Sequence, residues 1–266
     1  MTTQNYKEYE LTNNDYKFYK PQLFNDHFEN FKRYAIPKAQ LIIADIPYNL
    51  GNNAFASNPN WYKDGDSRKG ESKLANTCFF DTDKDFKINN FFIFVKRMLK
   101  KSKNNNSDGA LLIFCSFEQM FPLIEIARAN GFKKYTNFVF FKNSSASVLK
   151  ANMKAIGNLE YALLFYRDKL PYFNNNGKMF LTGREFEKRT NVKKIHPTQK
   201  PINLLKDFIQ VYTKKGDVVI DPVAGSGSTL KAAAELGRKA YGFEIKKDFY
   251  NKAQNQMLNY LQPHLF

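Results

Sequence analysis

The chain has 266 residues and is 43% hydrophobic, which suits one large domain with a sizeable core. Its 41 Lys and Arg outweigh 25 Asp and Glu, a formal charge of +16 that points to a polyanionic partner, although a Lys- and Asn-rich composition bias would read similarly. No apolar run nears the ~20 residues of a membrane helix, the polar N-terminus lacks a signal-peptide core, and Cys78 and Cys115 lack metal-ligand spacing, so a disulfide framework and a zinc site are not expected and a cytoplasmic location is.

Residues 1–40 read as a polar lead-in with one short helix around Phe24–Tyr34. An apolar run, Leu41-Ile42-Ile43-Ala44, then ends in Asp45-Ile46-Pro47-Tyr48, the look of a buried parallel strand delivering a turn at its carboxyl end. Residues 49–83 form a long basic stretch with Phe55, Trp61 and Tyr62, read as a mobile flap over a site, with a disordered insertion as the bland alternative. Apolar positions from Phe86 to Lys100 fall at helical spacing. Ala110–Ser116 reads as a strand, and Phe117–Asn130 as a helix closed by Gly131. Phe138–Lys142 and Tyr161–Tyr166 read as further strands, separated by a Ser- and Asn-rich stretch. Residues 168–194 are polar, aromatic and basic without clear periodicity. A helix over Ile202–Tyr212 follows Pro197 and Pro201. Asp217–Phe243 then reads as strand, Gly turn, helix (Thr229–Leu236) and strand, and Asp248–Leu261 as a final amphipathic helix. Alternating strands and helices give a doubly wound α/β fold in a single domain.

Two loops carry the chemistry. Asp221-Pro222-Val223-Ala224-Gly225-Ser226-Gly227-Ser228 joins a strand to a helix. Glycines there allow close backbone approach and leave N–H groups at a helix N-terminus. Glu244 ends the next strand, where an acid roughly 20 residues on accepts ribose hydroxyls in related units. The third glycine of the dinucleotide pattern is replaced by Leu230, so a ligand with a ribose and no pyrophosphate fits better. A tight structural turn followed by a surface Glu has the same spelling. In the other loop Pro47 fixes its own φ and biases Ile46 to an extended form. The Asp45 carboxylate and the Ile46 carbonyl then offer two acceptors for an exocyclic amine, and Tyr48 a face for the base that carries it. Alone, this tetrapeptide would be an ordinary loop.

The pair resembles a known family. Asp45-Ile46-Pro47-Tyr48 is similar to the D-P-P-Y motif of amino-methylating DNA methyltransferases, and Asp221 to Ser228 to their D-P-F-x-G-S-G-T loop. His196-Pro197-Thr198-Gln199-Lys200-Pro201 matches the H-P-T-x-K-P segment preceding that loop in the β group, whose motif order this chain follows over roughly residues 40–250. Ile46 stands for the usual first Pro, where the family's contact is the backbone carbonyl, and Val223 stands for Phe beside the cofactor. The resemblance implies a Rossmann-like doubly wound methyltransferase sheet with a small target-recognition insertion at 168–194. It implies S-adenosylmethionine as cofactor and no metal. Asp45, Ile46, Pro47 and Tyr48 would be catalytic. Asp221, Pro222, Val223, Ala224, Gly225, Ser226, Gly227, Ser228 and Glu244 would bind the cofactor, with Thr198 and Lys200 completing its pocket. His196 would hold the loop rather than act as a base.

The implied reaction is site-specific methylation of the N6 amine of adenine in DNA by base flipping and direct transfer. The alternatives are N4-cytosine methylation, whose enzymes usually carry Ser at the Asp45 position, RNA methylation, and a catalytically silent nucleic-acid-binding protein. DNA is the expected partner, and no membrane is. A homodimer and a cognate restriction endonuclease acting on the same site are left open.

Overall fold

The computed structural model describes residues 18–47, 86–102, 107–142, 147–150, 155–186, 195–196 and 199–259. The flap expected over 49–83 lies wholly outside them, as do Tyr48, Thr198 and residues 187–194.

Ten strands occur among these residues. They are β1 (Gln22–Phe24), β2 (Leu41–Asp45), β3 (Ala110–Cys115), β4 (Lys134–Lys142), β5 (Ser147–Lys150), β6 (Ala155–Gly157), β7 (Leu159–Tyr166), β8 (Gly183–Phe186), β9 (Val218–Asp221) and β10 (Lys239–Phe243). Eight form one sheet in the order β1-β10-β9-β2-β3-β7-β4-β8, and β5 pairs with β6 separately. β1, β10, β9, β2 and β3 run parallel, β7 is antiparallel to its neighbours β3 and β4, and β8 is parallel to β4. Crossovers from β9 lead towards β10, whereas those from β2 lead towards β3. The order therefore reverses between β9 and β2, which is where ligands bind in open α/β sheets, outside the carboxyl ends of the strands.

Helices cover both faces. On one lie α3 (Ile202–Tyr212) and α4 (Ser228–Glu235), with the helical segments Lys247–Ala253 (α5) and Gln254–Leu258. On the other lie α1 (Ile88–Met98), α2 (Phe117–Ala129) and the 3-10 turn Phe28–Arg33. Leu41 and Ile43 of β2 pack into the first layer, and Ile42 and Ala44 into the second. That two-sided burial explains why β2, β3 and β9 read as continuous apolar runs. The fold is the expected Rossmann-like doubly wound sheet.

Three local expectations are corrected. The helix expected around Phe24–Tyr34 is an edge strand ending at Phe24 followed by the 3-10 turn. Asp26 accepts from the His27 N–H, the Asn30 amide and the Tyr34 hydroxyl, and these local bonds hold the segment in a tighter shape than an α-helix. The Ser- and Asn-rich stretch between Lys142 and Leu159, to which the sequence assigns no element, contains β5 and β6. The last helix ends its α-helical part at Ala253 and widens into a π turn.

Candidate active site

Pairing of β9 with β2 matches Leu41 to Val219 and Ile42 to Ile220. Both strands therefore release their loops on the same edge of the sheet, side by side.

The loop after β9 begins at Asp221, which is buried. Its Oδ1 accepts from the Val223 N–H at 3.1 Å. Burial, opposed by a hydrogen bond from Thr229 and the one from Val223, pushes this carboxyl up to about 7, and the nearby Asp45 and Glu244 push the same way. Gly225 and Gly227 both take positive φ, +50° and +75°, and Gly227 caps α4. A Cβ on Gly225 would stand 3.3 Å from the His196 Nε2, so that imidazole packs directly on the glycine. The other side of His196 meets Phe249 at 4.4 Å between ring centroids. Burial first, then Lys200, Lys246 and Lys252, bring His196 down to about 4, so it is a neutral packing group near pH 7.

Glu244, at the end of β10, braces the loop. One carboxylate oxygen accepts from the Gly225 N–H at 2.9 Å and the other from the Lys246 N–H at 2.8 Å. Each oxygen has a second acceptor position that a ribose hydroxyl could use. Burial raises the Glu244 carboxyl, against the backbone bonds from Lys246 and Gly225. Bare backbone at two left-handed glycines, a braced acid and a buried second acid together fit an adenosyl group with a cationic tail.

The loop after β2 begins at Asp45. The buried Ile46 anchors it, and the Pro47 carbonyl accepts from the Gln119 amide at 2.7 Å. Gln119 belongs to a capping box with Ser116 at the start of α2, so the helix and the Asp45–Pro47 turn are fixed by one side chain. The Asp45 Oδ2 pairs with the Lys200 Nζ at 2.7 Å. Lys200, expected in the cofactor pocket, thus makes its ion pairs on the Asp45 side. Its ammonium also lies 3.4 Å from Glu160 and 5.1 Å from the centre of the Phe114 ring. Glu160 in turn pairs with Lys142. Burial pushes the neighbouring Cys115 thiol up to about 12, so it stays protonated and is no nucleophile near pH 7.

Sequence reasoning missed Gln119, Glu160 and Lys142. It also missed the exposed aromatic pair Phe117 and Phe121, which flanks Gln119 on α2, with Phe117 against Tyr161 at 5.6 Å. The S/T-x-x-Q spelling of the capping box was the one signal available, for Gln119 alone. Tyr48 and Thr198 lie outside the described residues, whereas Asp45 and the Asp221–Ser228 loop stand on adjoining strands.

Comparison with known proteins agrees with this geometry. The sequence model of a family described as DNA methylase matches residues 39–255. The chain is 26% identical to the type II methyltransferase M2.LlaDCHI of Lactococcus lactis subsp. cremoris, over 87% of each protein. It is also 26% identical to the type II methyltransferase M2.DpnII of Streptococcus pneumoniae, over 93% of this chain and 97% of that protein. Among solved structures, the M1.HpyAVI–SAM complex superposes with a TM-score of 0.62 at 20% identity, covering 88% of this chain and 97% of that one. The cytosine-N4-specific PvuII DNA methyltransferase superposes with a TM-score of 0.65 at 16% identity, covering 94% and 90%.

Proposed function

Since this chain belongs to the N6/N4 DNA methylase family, we propose that it transfers a methyl group from S-adenosylmethionine to the exocyclic N6 of adenine in DNA. The observation that carries the reading is the Asp45 carboxylate, held at the carboxyl end of β2 on the strand next to the glycine loop. A relative that works on the N4 of cytosine usually carries Ser at that position, which favours adenine here.

The cofactor supplies a methyl group already activated as a sulfonium. The rest is done by this chain's own groups. The Asp221–Ser228 loop and Glu244 hold the adenosyl end. Asp45 and the Ile46 carbonyl accept the two protons of the substrate amine. Those hydrogen bonds localise the nitrogen lone pair, which is otherwise delocalised into the ring, and offset the positive charge that develops on nitrogen. Holding amine and methyl group in line supplies much of the remaining acceleration. Tyr48 supplies the stacking face for an extruded base, as chemistry on a base requires. The +16 charge suits the phosphate backbone, and the Lys, Arg and Asn of 168–194 suit target recognition. The relatives' names make a role beside a restriction endonuclease the natural setting.

The test is mass spectrometry of nucleosides from unmethylated DNA incubated with S-adenosylmethionine and either the wild type or Asp45→Ala. N6-methyladenine from the wild type, reduced at least ~100-fold in the variant with cofactor binding retained, is the expected result. N4-methylcytosine would refute the adenine assignment, and near-normal turnover by the variant would refute the role of Asp45.

A further inference from the structure

Beside the reacting pair lies a chain of alternating charge that the reaction as described does not use. It runs from Asp45 to Lys200 (2.7 Å), from Lys200 to Glu160 (3.4 Å), and from Glu160 to Lys142. Three separate parts of the fold contribute. Asp45 closes β2, Glu160 and Lys142 stand at the same edge where β7 starts and β4 ends, and Lys200 precedes α3. The register across the sheet brings them together. Asp45 pairs with Phe114, Phe114 with Ala162, and Phe140 with Glu160. The Phe114 ring beneath the Lys200 ammonium completes the seat. Lys200 and Glu160 are both largely buried, with side-chain exposures of 7% and 13%.

Two carboxylates and two ammonium groups sum to zero charge. That balance has a consequence for an incoming amine. Before the substrate arrives, Lys200 occupies Asp45 Oδ2. When the amine donates its protons to Asp45, it competes with Lys200 for that carboxylate. A buried ammonium that lost its only carboxylate would resist strongly, because breaking a buried ion pair by removing one partner is costly. Glu160 gives Lys200 a second carboxylate within reach.

We propose that Glu160 is a positioning residue for methyl transfer, holding Lys200 so that Asp45 can exchange that ammonium for the substrate amine. This rests on the assignment of Asp45 as the acceptor of the amine. Glu160 also balances the Lys200 charge at the moment when positive charge moves onto the amine nitrogen nearby. Burial alone would raise the Glu160 carboxyl, but Lys200 and then Lys142 outweigh it and hold the group below the usual carboxylate range. It is therefore ionised across the neutral range, as the role demands.

The experiment compares wild type, Glu160→Gln, Lys200→Met, the double variant and Asp45→Asn. Methyl transfer to DNA is counted on either base, and S-adenosylmethionine affinity and thermal midpoint are measured in each. Gln keeps the shape of Glu160 and removes its charge. Glu160→Gln is expected to lower kcat on the order of 10- to 100-fold, below the roughly 1,000-fold that a full unit charge ~4 Å away corresponds to at an effective dielectric near 20, because the Gln side chain still offers Lys200 an acceptor. Its cofactor affinity should stay within about threefold of wild type. In the Lys200→Met background the same change should cost less than about threefold, because the ammonium that Glu160 manages is gone. A purely structural role would produce an equal loss in both backgrounds and a matching fall in cofactor affinity, and that pattern overturns the proposal. Wild-type kcat in Glu160→Gln, with Asp45→Asn inactive, overturns this inference alone. Retained turnover in Asp45→Asn overturns both it and the reading of Asp45 on which it rests.

Discussion

Asp221 is the residue whose environment makes the sharpest quantitative demand. It is buried, and its carboxyl is pushed from 3.8 up to about 7 by that burial. A raised carboxyl holds its proton more tightly in the folded chain than in the unfolded one. Below pH 3.8 both states are protonated and the group is neutral to stability. Between there and about pH 7 the unfolded state ionises while the native state resists, so native stability falls as pH rises. Above that the loss is constant. About three pH units at 1.36 kcal/mol each make it on the order of 4 kcal/mol at pH 7.5, about 2 at pH 5 and under about 1 at pH 4. Asp221→Asn removes the titration yet keeps an acceptor for the Val223 N–H. Urea unfolding of the ligand-free wild type and variant at pH 4, 5, 6, 7 and 8 isolates the effect, since other titrating groups cancel in the difference. The variant should gain on the wild type steadily from pH 4 to 7 and then hold level. A difference that stays flat across that range would refute the assignment of a buried, reluctantly ionised carboxyl. In the proposed function this cost has a use. A ligand that brings a cationic tail to Asp221 restores the ionised form, so affinity draws on strain already stored in the free protein.

Three further outcomes follow from the same geometry. Gly225→Ala places a Cβ 3.3 Å from His196 in a left-handed backbone, where an L-residue costs roughly 1–2 kcal/mol; calorimetry should show S-adenosylmethionine binding weakened ~10-fold. Gln119→Ala removes the bond to the Pro47 carbonyl and half of the capping box; kcat should fall while cofactor affinity holds, with about 1 kcal/mol of stability lost in urea titrations. Phe121, 69% exposed on the helix whose Gln119 holds the Pro47 carbonyl, would stack on a DNA base in the proposed function; Phe121→Ala should weaken DNA binding by ~1–3 kcal/mol in fluorescence titrations without changing the salt slope. An altered slope would mean that the ring acts by shaping a phosphate contact.

How much of this was legible depended on whether the signal was local. β2, β3 and β9 are buried on both faces, so each prints as an apolar run ended by an acid or a small polar residue. α3 was legible to its ends because Leu204, Leu205, Phe208, Ile209 and Tyr212 recur at helical spacing after Pro201. Asp45 and the Gly225–Gly227 turn could be named because rigid turns need special residues. Glu160 could not. Nothing near it in sequence marks it, and its partners come from β4, which the strand register sets opposite, and from a segment some forty residues on. Gln119 had a local spelling, but that spelling describes a helix start and is silent about Pro47, which lies on another strand's turn. The 3-10 turn at Phe28–Arg33 was misread because three apolar rings in a short window fit a helix equally well. Only the bonds gathered by Asp26 decide between the two.

The order of the two loops along the chain runs opposite to what their chemistry suggests, the acceptor turn first and the donor cradle some 180 residues later by number. Strand pairing makes that order immaterial. Ile42 opposite Ile220 sets Ile43 level with Asp221 and leaves Asp45 two residues nearer the rim. At ~3.3 Å per residue that is a step of about 7 Å between a deep carboxyl and a shallow one. A deep acid under the glycine loop suits the cationic tail of a cofactor, and a shallow one suits an amine arriving from outside. The Asp45 charge adds to the burial that raises the Asp221 carboxyl across this step. Lys200 pairs with the shallow acid, while burial lets the deep one hold its proton. Two carboxyl groups of one kind thereby acquire different surroundings from depth and partner alone, and in the proposed function the division of labour between donor and acceptor sites follows from the register of β2 against β9.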